Sequence, residues 1–197
     1  MNDPFECLSA ELSNKHLRRA FEALRTHFEN RHGAICFSRN CNNPVLWSHY
    51  ADKHKGVCLG FDVKQELLNP MKYDAKRLAT ILESMLTREE SVQLDAIHRV
   101  LTTKYEDWRY EDEVRAFAKI DERDADTGCY FYAFTPDIRL TEVLLGQRFN
   151  GNLEQFRTVL AKGYPGVRVQ QMRLAFKSFS VVHSLKRLQK RKPAKKK

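Results

Sequence analysis

No stretch of this sequence is apolar for long enough to cross a bilayer, and its first residues do not read as a signal peptide. The expected location is therefore cytoplasmic. A disulfide scaffold is also missing. Five cysteines is an odd number, their spacing is not that of a small cross-linked domain, and reduced thiols are expected. There is no Gly-rich phosphate loop, no Walker pattern and no dinucleotide fingerprint. The absence of a Gly-x-Ser-x-Gly elbow removes support for a Ser–His hydrolase. No internal repeat is visible. Acidic residues are absent from the last twelve positions, KRLQKRKPAKKK at 186–197, which hold eight Lys or Arg. The formal net charge is +9, but without this tail 26 basic residues face 25 acidic ones. The basicity belongs to the tail and not to a surface of the fold.

What is present reads as a folded protein. Of 197 residues, 42% are hydrophobic and 11% aromatic, enough for a real core. One globular domain is expected over 1–183, followed by a basic disordered tail at 184–197. Such a tail can make non-specific contact with nucleic acid or acidic membranes. Asn2-Asp3-Pro4 is a turn signal. Leu17, Phe21, Leu24 and Phe28 predict an amphipathic helix over Ser13–Arg31, ended by Gly33. Residues 75–105 are helical in pattern and read as two helices, the second opened by a Thr87–Glu90 capping box. This pair looks like an insertion between strands. Strands are expected at 71–73, 113–120, CYFYAF (129–134), 141–145, VRVQQM (167–172) and SFSVV (178–182), with a helix at 153–163. The fold class is α+β, with a mixed, largely antiparallel sheet and flanking helices.

The stretch from Ala34 to Val63 organises the rest, reading as strand, short helix, strand. Asn42 or Asn43 can cap the helix with Pro44 at its first position. Leu46, Tyr50 and His54 share a face at helical spacing, with Trp47 beside them, and Gly56 can stop the helix in a left-handed turn. Three groups of residues could do chemistry. Glu111 and Glu113 are two apart at the entrance to a strand, so they point to one side, and repulsion would raise one pKa. Arg115 is in phase to neutralise one of them. Their plain alternative is an exposed charged ladder at a sheet edge. Ser38, Ser48, His49 and Tyr50 could line a pocket, or Tyr50 and Trp47 could simply be core. Cys36, Cys41, His49, His54 and Cys58 are metal-ligand types, but their spacings are looser than zinc fingers, and no metal is expected.

NDPFE at 2–6, CFS at 36–38, LWSHYADKHKGVCLGFD at 46–62, the run Lys104-x3-Trp108-x-Tyr110-Glu-x-Glu-x-Arg, and EVLLG at 142–146 together resemble the bacterial domain of unknown function 2971 family. The likeness spans nearly the whole body, and that family's name states no function. A more distant resemblance is to ADP-ribosyltransferases of the poly(ADP-ribose) polymerase and diphtheria-toxin type. Ala34–Ser38 is similar to their strand ending in small residues, Ser48 and Tyr50 to the helix after it, and Val57–Phe61 to the next strand. Glu113 before Val114-Arg115-Ala116-Phe117 is similar to their catalytic Glu strand, and Glu111-x-Glu113 to the Glu-x-Glu pair of the arginine-specific branch.

The resemblance implies NAD as substrate, Glu113 as catalytic carboxylate and Glu111 as its helper. It implies Ser48 and Tyr50 as nicotinamide-side contacts, with Ser38, His49 and Arg115 as further cofactor-binding candidates. Glu113→Gln would then abolish NAD turnover while leaving folding intact. In those transferases a first strand supplies a His or Arg that holds NAD. Here Met1 stands where sequence precedes NDPFE in the family resembled, so that strand is expected to be absent and a sheet edge open to pairing. The acceptor is unassigned among protein, nucleic acid and small molecules. A toxin or phage-defence role would suit such an enzyme. The competing class is a non-enzymatic module binding nucleic acid or protein, with a basic tail.

Overall fold

The computed structural model describes residues 3, 5, 7–29, 32–120 and 123–184. The basic tail from 185 onward, and most of the NDPFE turn, lie outside the described residues. In chain order the elements are α1 Lys15–Glu29, β1 His32–Ser38, α2 Pro44–Tyr50, β2 Val57–Val63, β3 Asn69–Pro70, β4 Lys72–Asp74, α3 Ile81–Met85, α4 Glu90–Leu101, β5 Thr103–Tyr105, β6 Glu113–Lys119, β7 Ile138–Leu145, α5 Leu153–Gly163, β8 Arg168–Leu174 and β9 Val181–His183. Short 3-10 turns occupy Gln65–Leu67 and Glu106–Glu111. The class is α+β, and most strand pairs are antiparallel. The chain divides into two compact units, residues 1–39 with 64–133, and residues 40–63 with 134–197.

In the first unit, β6 is the middle strand of the order β1-β6-β3, antiparallel to both neighbours. The β1 register sets Cys36 opposite Arg115 and Ser38 opposite Glu113. β4 and β5 pair in parallel, and the helices α3 and α4 fill the chain between them. The expected helical insertion is therefore present, but its last three residues are strand. Ala10, Phe21, Ile81, Leu82, Met85, Ala96 and Val100 form this unit's apolar cluster. The side chains of Leu17, Leu24 and Phe28 lie outside the described residues.

In the second unit the strand order is β2-β7-β8-β9. The C-terminal end of β7, Val143–Leu145, is buried on both faces, which is why that end reads as a continuous apolar run. Val143 and Leu145 pack with Leu153, Phe156 and Leu160 around α5. Leu144 packs with Trp47 and Ala51 around α2, and with Met172 and Val181.

Several expectations are corrected. CYFYAF forms no strand; Tyr130, Phe131, Tyr132 and Phe134 are all exposed, and no ladder hydrogen bonds hold them extended. α4 begins at Glu90 behind an uncapped Glu89, and Thr87 Oγ1 accepts from the Glu89 N–H, so no capping box forms. Gly33 lies inside β1 instead of ending α1. Asn43 caps α2 through its side chain, with Pro44 first, as the sequence predicted. Gly56 does not supply the left-handed turn after α2. Asp52, Lys53 and His54 take it themselves, at φ of 41°, 52° and 71°. Because α2 ends at Tyr50, His54 is not on the helix, and Tyr50, 57% exposed, is not core.

Candidate functional site

The first unit buries four charged side chains against one another. Lys104 on β5 places Nζ 2.6 Å from Glu111 Oε2 and 2.9 Å from Glu113 Oε2. Arg115 Nε donates to Glu113 Oε1 at 2.7 Å, and its Nη1 donates to the Leu101 carbonyl at 2.8 Å. All four residues are buried, Arg115 almost completely. Among these four side chains, two cations face two carboxylates. Charges taken out of water persist only when paired and hydrogen-bonded, and these are both.

The backbone explains the convergence. Glu111 closes the 3-10 turn Glu106–Glu111, Asp112 takes a left-handed φ of 44°, and Glu113 opens β6. The two carboxylates are thus brought to one ammonium by a turn and not by strand alternation. Lys104 arrives from β5, one residue after buried Thr103. The Trp108 ring lies under its ammonium at 5.1 Å from the centroid, a favourable cation–π contact. The Tyr73 hydroxyl accepts from the Glu113 N–H at 2.8 Å, fixing the strand's first residue. Ser38 Oγ donates to the Glu111 carbonyl at 2.5 Å.

This geometry corrects one expectation and bears on a second. The carboxylates are not an exposed ladder, since both are buried and β6 is a central strand. Nor is Glu113 raised. Burial pushes its carboxyl up, but hydrogen bonds and charge from Arg115, then from Lys104, outweigh that and hold it below the usual carboxylate range. Arg115 does neutralise Glu113, as its phase in the strand suggested. Sequence reasoning gave no role to Lys104, Trp108 or Tyr73. The signal available was the Lys104-x3-Trp108 spacing itself, which places a cation and a ring around a single 3-10 turn.

The second unit holds Ser48, His49 and Tyr50 on α2. His49 and Tyr50 are exposed. Ser48 Oγ donates to the Pro44 carbonyl at 3.1 Å and lies 3.2 Å from His54 Nε2. The His54 ring stacks on Trp47, at 6.5 Å between centroids and 13° between planes. Burial, then the charge of Arg148, pushes its pKa down. The predicted candidates thus fall into two groups, Ser38, Glu111, Glu113 and Arg115 in the first unit and Ser48, His49 and Tyr50 in the second.

Of the candidate cysteines, two share one cluster. Cys36 is exposed on β1, whereas Cys41 and Cys58 pack against the Trp47 cluster. Burial, then Cys41 and Glu142, pushes the Cys58 thiol up to about 11. At neutral pH it is a protonated, apolar filler. Among the described residues, no three His, Cys, Asp or Glu side chains are grouped to hold a metal ion. No helix among them is long and apolar enough to cross a membrane.

Residues 46–116 match the model of a family described as "Protein of unknown function (DUF2971)". The chain is similar to that family over this stretch, which contains most of α2 and its following turn, Lys104, Trp108, Glu111, Glu113 and Arg115. The match is shorter than the likeness read from the sequence, and leaves out NDPFE, CFS and EVLLG. No curated protein and no solved structure matches the chain.

Proposed function

We propose that the protein is an NAD-consuming enzyme of the ADP-ribosyltransferase type, with Glu113 as its catalytic carboxylate. One observation carries this reading. Ser38, the last residue of β1, stands directly opposite Glu113, the first residue of β6, in an antiparallel register. The strand ending in small residues and the strand opening with Glu are therefore neighbours, which places two of the motifs that carry the resemblance side by side. Breaking the nicotinamide–ribose bond builds positive charge on the ribose, and a fixed, ionised carboxylate stabilises it. Glu113 is held ionised, and each of its oxygens accepts one hydrogen bond from the cluster. A carboxylate oxygen has a second acceptor direction, the one a ribose hydroxyl would use.

In this reading Arg115 and Lys104 position Glu113, and Glu111 is the helper that orients or deprotonates the acceptor. Ser38 is a further candidate contact beside Glu113; Ser48, Tyr50 and His49 lie in the other unit and are nicotinamide-side candidates on the resemblance alone. A second reading, a non-enzymatic binding module, is favoured by the mutual pairing and burial of the cluster, which are those of a structural brace.

The test is NAD binding and nicotinamide release by the purified chain, beside Glu113→Gln with its melting curve. Release by the wild type, lost in a variant still folded at the assay temperature, supports the enzyme. Undiminished release in that variant removes Glu113 from catalysis. Neither binding nor release in the wild type overturns the proposal in favour of the module.

A further inference from the structure

The turn between β8 and β9 carries two phenylalanines that touch almost nothing. Phe176 is 91% exposed and Phe179 is 102% exposed. Single exposed apolar residues are ordinary on protein surfaces, but two bare rings within four residues at a hairpin tip are not. The tip itself is well held. Leu174 pairs with Val181, the Ala175 N–H donates to the Ser180 carbonyl at 2.9 Å, and the Ser178 and Ser180 hydroxyls bond each other at 2.7 Å. Basic residues accompany the rings, one in contact and others in the sequence. The Arg173 guanidinium lies 4.6 Å from the Phe176 centroid, and Lys177 stands between the two rings in sequence. Eight more Lys or Arg follow at 186–197, beginning three residues after β9 ends.

We propose that this hairpin tip inserts into an anionic lipid surface, with Phe176 and Phe179 entering the acyl boundary and Arg173, Lys177 and the tail cations meeting the headgroups. Charge selects an anionic occupant, and the rings select its kind. A site that stacks nucleic-acid bases keeps each ring seated on the protein and offers a free face. Phe179 is seated on nothing, so the pair is not held as such a platform. A fluid apolar phase asks for no such geometry. The mutually bonded serine hydroxyls and the closed backbone pair lower the cost of leaving water. The Lys177 stem can lie along the acyl boundary while its ammonium stays among headgroups. One apolar insertion together with a polybasic segment is the two-signal combination that holds a protein on a membrane. This inference is independent of the NAD reading.

The test is co-sedimentation of the full chain with phosphatidylcholine vesicles, with and without phosphatidylserine, beside a Phe176→Ser/Phe179→Ser variant and a chain lacking 186–197. The rings support no packing, so the double variant should melt with the wild type. The expected result is binding to the phosphatidylserine vesicles only. That binding should fall at least about tenfold in the double variant, from the lost apolar burial, and should weaken in the truncated chain. Double-variant binding equal to wild type would reduce the effect to charge and overturn the proposal. So would no vesicle binding, whether the rings then prove to bind an oligothymidine strand, to pair two copies of the chain on gel filtration, or to do neither.

Discussion

The Lys104 ammonium and the Glu111 carboxylate meet at 2.6 Å with both side chains about 5% exposed. Glu113 shares the same ammonium at 2.9 Å. Lys104→Met would leave two buried carboxylates beside each other with one cation fewer. Removing one partner of a buried ion pair costs about 3–5 kcal/mol, chiefly through the charge left behind. Urea denaturation should show a loss of that size. Lys104→Met/Glu111→Gln should regain much of it, giving a coupling energy that a surface pair would not show.

Glu113 sets an acid limit on stability. Its folded pKa lies below the ordinary carboxylate value, because Arg115 and Lys104 outweigh its burial. A depressed carboxylate contributes stability above the unfolded pKa, near 4.3 for Glu, and loses it as pH falls through the folded value. The wild type should therefore exceed Glu113→Gln in denaturation free energy at neutral pH, and the two should converge below about pH 4. A constant gap down through that range would mean that folding does not lower the Glu113 pKa. The same variant is expected to be less stable than the sequence alone implied, since it leaves Lys104 and Arg115 short of negative charge.

How much of this was legible depends on which force decided each element. β7 and α5 were legible because burial imposes a period on them. α2 was legible because Asn43 and Pro44 act locally. CYFYAF has the residues of a strand, but strand formation needs a partner ladder, and single-sequence periodicity cannot supply one. The Glu111–Glu113 pair was found for a reason the backbone does not use. Strand alternation suggested a shared side, whereas the left-handed Asp112 and the 3-10 turn before it bring both carboxylates to Lys104. That lysine, seven residues before Glu111, lies on another strand, so only the tertiary fold joins them. His54 illustrates the same limit. Its helical spacing from Tyr50 lost its meaning when three consecutive residues turned left-handed.

That left-handed turn rests on a close backbone approach. A Cβ at Gly146 would lie 2.2 Å from the His54 carbonyl oxygen and 2.9 Å from the Gly56 carbonyl oxygen. Neither is a flexible side-chain end, and both carbonyls are already in use, accepting from the Arg148 and Gly146 N–H groups. Gly146→Ala should cost about 1–3 kcal/mol or more, as overpacking against fixed atoms does. A thermal melt reads this directly, and an unchanged midpoint would show that the turn yields.

Trp47 and Tyr50 sit one helical turn apart on α2 and should respond in opposite ways. Trp47 is buried, and its indole N–H donates to the Cys41 carbonyl at 2.7 Å. Trp47→Ala should cost about 3–5 kcal/mol, through the cavity and the orphaned carbonyl. Tyr50 is more than half exposed. Tyr50→Ala should change stability by no more than about 0.5 kcal/mol, the usual range for surface positions. If Tyr50 stacks on nicotinamide, the same substitution should weaken NAD binding several-fold in calorimetry on a protein that melts normally. A Tyr50→Phe variant should restore that affinity, since stacking needs the ring and not the hydroxyl. Equal NAD affinity in all three chains would take Tyr50 out of the site without disturbing the placement of Trp47 in the core.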